Sequence, residues 1–285
     1  MKRSRTFLQE IPFICSMPAI IWQIFFMVIP VLVIIYFSFV GKQSIITFDH
    51  YRALFKLPYF FIIGRSLLLS LLTAITTLCI AYPVAYFIAI KVRRYKSILL
   101  FFLTLPFWVN FLVQIYAWYF LLEYRGIINT LLLKIGLITV PLQLSNSLIS
   151  VFIVMVYCYV PFMIMPLYNI LEKLDSRLLD ASSDLGATSW QTFMNVTFPL
   201  SVPGIKTGFL LVMIPAFGEF VIPSLLGGSK YMLVGTLISY LFLIARNNGY
   251  GSAFTCLSGI ALILVLLLVY VVSSAWIFSK TVRRL

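Results

Sequence analysis

Between Ile11 and Val40 the chain carries no charged side chain. Such a run exceeds the roughly 20 apolar residues that a helix needs to cross a bilayer. Five further apolar windows of spanning length follow. The expected spans are about residues 13–39, 66–90, 98–120, 148–170, 207–228 and 252–279. After Lys134 the uncharged stretch is longer than one span requires, and Pro141, Gln143, Ser145, Asn146 and Ser147 make its first part a connector. A chain that is 62% hydrophobic and only 10% charged has more apolar surface than a soluble core can use. The expected fold class is therefore an all-α integral membrane protein with six transmembrane helices, as a single transmembrane domain over 1–285. The first run follows the basic MKRSR start and is too long for the core of a signal peptide.

The net charge of +13 is concentrated between the apolar runs. Lys2, Arg3, Arg5, Lys91, Arg93, Arg94, Lys96, Lys173, Arg177, Lys206, Lys280, Arg283 and Arg284 fall in connectors on one side, and they are 13 of the 21 basic residues. That bias orients both termini and the KVRRYK connector toward the cytoplasm. No long basic face exists to grip nucleic acid. Cys15, Cys79, Cys158 and Cys256 are isolated in or beside apolar runs, without the spacing of a disulfide or zinc framework. They read as small buried hydrophobes. His50, the single histidine, reads as a solvated residue of an outer connector covering 40–65.

Pro30, Pro83, Pro106, Pro161, Pro166, Pro215 and Pro223 fall inside the expected spans. Each removes a backbone hydrogen bond, which fits either ordinary kinks or a cavity lined by broken helices. Glu219 is the only charged residue inside an expected span, flanked by Pro215, Gly218 and Pro223. A charge at the bilayer centre costs about 2.5–3.5 kcal/mol on insertion scales, so it must face a cavity or a partner. A solute path, a protonatable carboxyl and a structural hydrogen bond to a neighbouring helix all satisfy that demand.

Half of the eight acids, Glu172, Asp175, Asp180 and Asp184, cluster in the segment 171–206. Leu171, Leu174, Leu178, Ala181 and Leu185 recur at spacings of three and four, the pattern of an amphipathic helix. Gly186 is placed to end that helix in a left-handed turn. Thr188 with Gln191 matches a capping box opening a second helix, whose apolar face holds Trp190, Phe193, Met194 and Val196. Pro199 and Pro203 are expected to stop it before the fifth span. A helix lying on anionic lipid carries an excess of bases, whereas this segment has more acids. A protein partner is the better reading. The three aspartates lack a histidine, a second acid cluster or a glycine frame, so neither a metal site nor a catalytic constellation is expected.

The same segment resembles the membrane subunits of type I ABC importers, whose cytoplasmic loop reads E-A-A-x-x-x-G-x9-I-x-L-P. Here Asp180, Ala181, Ser182, Gly186, Val196, Phe198 and Pro199 occupy those positions with the spacing complete. Three further stretches, TLPFWVNFLVQIYAW (104–118), YVPFMIMPLYNILEKLD (159–175) and GEFVIPSLLGGSKYMLVGTLI (218–238), are similar to spermidine/putrescine transport permeases. Gln114 departs from that pattern, which has a basic residue there.

The resemblance implies the type I importer permease fold, with 171–206 as a coupling loop between the fourth and fifth spans. Asp180, Ala181, Ser182, Asp184, Leu185, Gly186 and Ala187 would meet a cytosolic ABC ATPase dimer. A second homologous permease subunit and an extracytoplasmic polyamine-binding protein complete the implied assembly, in a bacterial inner membrane. No G-x-x-x-x-G-K-[ST] occurs in the chain, so ATP and Mg²⁺ would be bound by the partner ATPase, and this subunit is not an enzyme. A polyamine exchanges its hydration for carboxylate and aromatic contacts. Glu219, Trp108, Tyr116, Tyr157 and Tyr159 are the candidate path residues, although interfacial belts and helix packing use the same aromatics. An ABC permease for another solute, such as an amino acid or a metal ion, and a secondary carrier are the competing readings.

Overall fold

The computed structural model describes residues 4–41, 46–92, 94–228 and 231–282, with side chains described over 16–41, 46–92, 94–228 and 231–273. Lys2, Arg3, Arg93, Arg283 and Arg284 lie outside the described residues, as do the side chains of Arg5, Cys15 and Lys280. The regular elements among the described residues are helices, with one isolated antiparallel bridge between Val40 and Ile46. Five helices are long and apolar enough to cross a membrane, and a bent pair supplies the sixth span.

Two compact units emerge. The first comprises residues 1–59 and 240–260. It contains α1 (Ser4–Phe39), α2 (Asp49–Leu54) and the start of α13 (Asn248–Val282). The described side chains of α1, from Ser16 on, are mostly exposed and almost all apolar, as for a helix solvated by lipid or by another subunit. Polar residues gather where α1 ends. Tyr51 Oη donates to Ser38 Oγ at 3.0 Å, and His50 Nε2–H donates to the Val40 carbonyl at 3.1 Å. His50 is thus a half-buried residue of α2, with its ring edge-on to Tyr250 and against Gly249, where a Cβ would sit 2.5 Å from the imidazole. The expected solvated connector is instead a folded corner.

The second unit comprises residues 60–239 and 261–285. Its elements are α3 (Leu57–Tyr86), α4 (Lys96–Trp108), α5 (Phe111–Leu122), α6 (Ile127–Lys134), α7 (Leu148–Leu171), α8 (Ser176–Asp184), α9 (Ser189–Thr192), α10 (Phe198–Gly218), α11 (Val221–Leu226), α12 (Val234–Ser239) and the rest of α13. Its central helix is α7, whose Val151, Val154, Met155, Met163, Ile164 and Leu167 are fully buried. Pro161 and Pro166 lie within this continuous helix. Packed on α7 is α10, with glycines facing it. At Gly204 a Cβ would lie 3.0 Å from the Pro166 carbonyl, and at Gly208 it would lie 2.6 Å from Met163 Sδ. Gly204 and Gly208 form a small-xxx-small pair that lets two backbones approach in a bilayer, where lipid removes the hydrophobic drive for association.

Three spans differ from expectation. The second begins at Leu57, not near residue 66, so Arg65 lies inside its helix. The third is broken between Trp108 and Phe111, and its two limbs meet at 88°. Pro106 removes one helical donor, Asn110 caps the second limb by accepting from Leu112 N–H at 2.9 Å, and Gln114 Nε2 donates to the Pro106 and Val109 carbonyls. Gln114 thus adds a side-chain donor to carbonyls at the break, where Pro106 O also accepts from Val109 N–H at 3.3 Å. The fifth span runs from Ser189 to Gly218 and not over 207–228. Pro199 comes just after a π turn, whose wider spacing carries the helix past the missing N–H, so it does not stop the helix. Pro203 is accommodated within α10, and the π turn Phe193–Thr197 joins α9 to it. Lys206, expected in a connector, lies inside this span.

Candidate functional site

Glu219 sits where α10 stops. Its backbone is extended (φ −62°, ψ 128°) between Gly218 and the start of α11. Glu219 Oε1 accepts from the Val221 and Ile222 N–H groups at 2.9 and 3.4 Å, while Oε2 accepts from Tyr159 Oη at 2.9 Å. The carboxylate is half-buried, and a carboxylate offers about four lone-pair positions, so these bonds anchor it without saturating it. α12 presses on the break from the other side. A Cβ at Gly235 would meet the Gly218 and Glu219 carbonyl oxygens at 2.3 and 2.5 Å, and only glycine allows that approach. Ser66 Oγ holds α12 in place by accepting from Val234 N–H at 2.8 Å.

Rings continue from this carboxylate. Tyr159 lies 6.1 Å from Phe162, and Phe162 lies 4.9 Å edge-on from Phe107. The last two line a groove of about 550 Å³ between α4, α7 and α10, with Asn169 and Thr207 as its polar side chains. Of the four aromatic residues expected on the path, the structure brings Tyr159 to Glu219. Trp108 is 73% exposed and packs edge-on to Phe101, Tyr157 packs on Trp118, and Tyr116 is half-exposed. Phe107, Phe162 and Gly235 were not singled out from the sequence, because apolar rings and glycines are common in spans and their partners lie on other helices.

The second feature is the elbow of residues 175–199. Asp175 caps α8 by accepting from Arg177 N–H at 3.0 Å. At its other end Gly186 takes φ +78°, Gly186 N–H donates to Ser183 O, and Ala187 N–H donates to Ser182 O. That pair of bonds is the Schellman closure. Thr188 and Gln191 form the expected reciprocal capping box at 3.3 and 2.8 Å. Ser182 Oγ and Thr192 Oγ1 lie 2.9 Å apart and tie α8 to α9. No residue of α8 is buried, and Leu185 and Trp190 are 88% and 65% exposed. Asp180, Ala181, Asp184 and Gly186 are exposed beside them. The elbow is tied by local bonds and presents apolar side chains that no other described residue covers.

Its root is firmly held. Phe193 stacks on Trp190 at 5.6 Å and meets Tyr82, Tyr86 and Phe198 at 5.7, 5.8 and 6.2 Å. Tyr82 Oη and Ser201 Oγ lie 2.9 Å apart. At the end of α7, Glu172 accepts from Tyr168 Oη and pairs with Lys96 at 3.7 Å. The connector before α4 and the elbow therefore emerge at the same end of the unit.

A family model described as "Binding-protein-dependent transport system inner membrane component" matches residues 81–282, most of the chain. The chain belongs to this family. It is a multi-pass inner-membrane component of a transport system, with an all-α importer permease fold. A spermidine/putrescine transport system permease protein PotB of Haemophilus influenzae is 42% identical over 253 residues, covering 87% of this chain and 88% of that protein. PotB of Escherichia coli is 39% identical over 238 residues, 81% of this chain and 86% of the relative. Among solved structures, a bacterial ABC transporter involved in the import of the acidic polysaccharide alginate matches with TM-score 0.76 at 19% identity, over 95% of this chain and 98% of that one. This likeness speaks to the fold.

Proposed function

We propose that the chain is one of two membrane subunits of an ATP-driven importer and forms half of the path for a polyamine, spermidine or putrescine. The observation that carries the substrate class is Glu219, a half-buried carboxylate held at a helix break by Tyr159 and continued by Phe162 and Phe107. An ammonium group leaving water needs such a carboxylate and such ring faces. The names of the 39–42% identical relatives support the same substrate. One carboxylate is too few for a multiply charged chain, so the second permease subunit supplies others across the interface.

In this reading residues 171–206 form the coupling loop of a single transmembrane domain. The termini and that loop face the cytoplasm. Asp180, Ala181, Ser182, Asp184, Leu185, Gly186 and Ala187 seat in a groove of a cytosolic ATPase dimer, which binds ATP and Mg²⁺. Closure of that dimer moves the elbow. The Phe193 cluster transmits the movement to α3 and α10, and the membrane halves switch from inward- to outward-facing. Substrate arrives from an extracytoplasmic polyamine-binding protein.

The test is uptake of labelled putrescine and spermidine by the reconstituted transporter. A hydrogen bond to a charged group contributes about 1.5–3 kcal/mol, so Glu219→Gln is expected to assemble normally and to lose about tenfold or more in uptake. Unchanged polyamine uptake by Glu219→Gln contradicts the role of Glu219. Transport of an amino acid or a metal ion in place of polyamines contradicts the substrate class.

A further inference from the structure

Lys206 is a cation placed inside a span, away from Glu219 and its ring series. Its Nζ lies 4.5 Å from the centroid of Tyr270 on α13, a cation–π contact. Among the described residues no carboxylate pairs with it. Lysine and tyrosine together head a groove of about 120 Å³ between α10 and α13. A turn further along each helix the walls become wholly apolar, with Phe209 and Leu210 on one side and Leu266 on the other.

The depth of this pole follows from helix geometry. Lys206 lies eight residues into α10 from Phe198, about 12 Å along the helix from the end that carries the elbow. The stem of Lys206 can therefore carry its ammonium back to the level of headgroups at that end. Tyrosine is favoured at that level, and a lysine stem can lie along apolar wall with its ammonium reaching the same plane. The elbow leaves the N-terminal end of α10, so this is the leaflet on the elbow side.

We infer that this groove is a binding site for one anionic phospholipid, its phosphate on Lys206 above the Tyr270 ring and an acyl chain against Phe209, Leu210 and Leu266. The substrate is a poor occupant, because Lys206 repels a polycation and the walls offer it no acceptor. A helix of a second subunit could fill an apolar furrow, but it would leave the ammonium without a counter-charge. A phospholipid satisfies both ends. In the orientation proposed above, on which this step rests, the elbow side is the cytoplasmic leaflet, which holds the anionic lipids that basic pockets between helices recognise.

The experiment places a photoreactive residue at Leu210 in the assembled transporter, reconstituted in vesicles of phosphatidylcholine and phosphatidylglycerol at about 3:1. The ratio of labelled phosphatidylglycerol to labelled phosphatidylcholine is expected to be about fivefold above their bulk ratio, the factor equivalent to about 1 kcal/mol per lysine near the surface. Lys206→Met should return labelling to the bulk proportion, and Lys206→Arg should preserve the enrichment. Labelling at the bulk proportion in the otherwise unaltered protein, enrichment that survives Lys206→Met, or label on a second membrane subunit would each overturn the assignment.

Discussion

Replacing Gly208 by alanine tests the close packing of α7 and α10. The added Cβ would lie 2.6 Å from Met163 Sδ and 3.3 Å from the Met163 carbonyl oxygen. Non-bonded heavy atoms rest about 3.5–4.0 Å apart, so something must move by about 1 Å. Met163 is fully buried, so its side chain has to repack against its neighbours to make room. Overpacking of this kind costs about 1–3 kcal/mol. Alanine also gains about 1 kcal/mol over glycine in helix propensity, which masks part of the effect. Gly64→Ala supplies the correction, because Gly64 lies in α3 and a Cβ added there would have nothing within 4 Å. Thermal unfolding of the purified transporter in detergent should then place Gly208→Ala below Gly64→Ala by about 2–12 °C, at about 2–4 °C per kcal/mol. Combining Gly208→Ala with Met163→Ala should cost less than the sum of the single changes by about 1 kcal/mol, because the truncated side chain admits the new methyl. Equal stability of the two glycine variants together with strict additivity would refute the reasoning.

Two other outcomes follow from the same geometry. Gln114→Leu removes the donor that serves the Pro106 and Val109 carbonyls, so it should destabilise the 88° bend by about 1–3 kcal/mol, read as faster proteolysis or a lower unfolding temperature. Phe193→Ala empties the centre of the ring cluster beneath the elbow. Full burial would make that loss about 3–5 kcal/mol, and the half-buried ring here should lose about half of it. Uptake per ATP hydrolysed should fall while hydrolysis continues, as measured in proteoliposomes.

Features set by neighbouring residues were legible in the sequence. Gly186, Thr188 and Gln191 determine the elbow through bonds that span at most five residues, and the structure shows the left-handed glycine, the Schellman closure and the capping box. The break at Glu219 was legible in part, because Gly218 before it and Pro223 after it weaken a helix around a charge that must face a cavity or a partner. Features set by packing were not. Pro199 and Pro203 look like stops in isolation, yet the first comes just after a π turn and the second is carried within α10. Gln114 stood out only as a departure from the resembled pattern, and its use shows once the Pro106 and Val109 carbonyls are placed beside it. Gly235 looks like a loop residue until the Gly218 and Glu219 carbonyls crowd it. The spacing of Gly204 and Gly208 acquires its meaning only once α7 is packed against it.

The central claim is that the elbow is gripped by a cytosolic ATPase, and Leu185 tests it most directly. Its side chain is 88% exposed, so Leu185→Asp leaves this chain's own packing intact. Burying a leucine in a partner's groove contributes about 1.5–3 kcal/mol. The affinity of the purified membrane subunits for the ATPase should therefore fall by about tenfold to a hundredfold or more, with unfolding temperature unchanged. ATPase binding of undiminished affinity by Leu185→Asp would contradict the account.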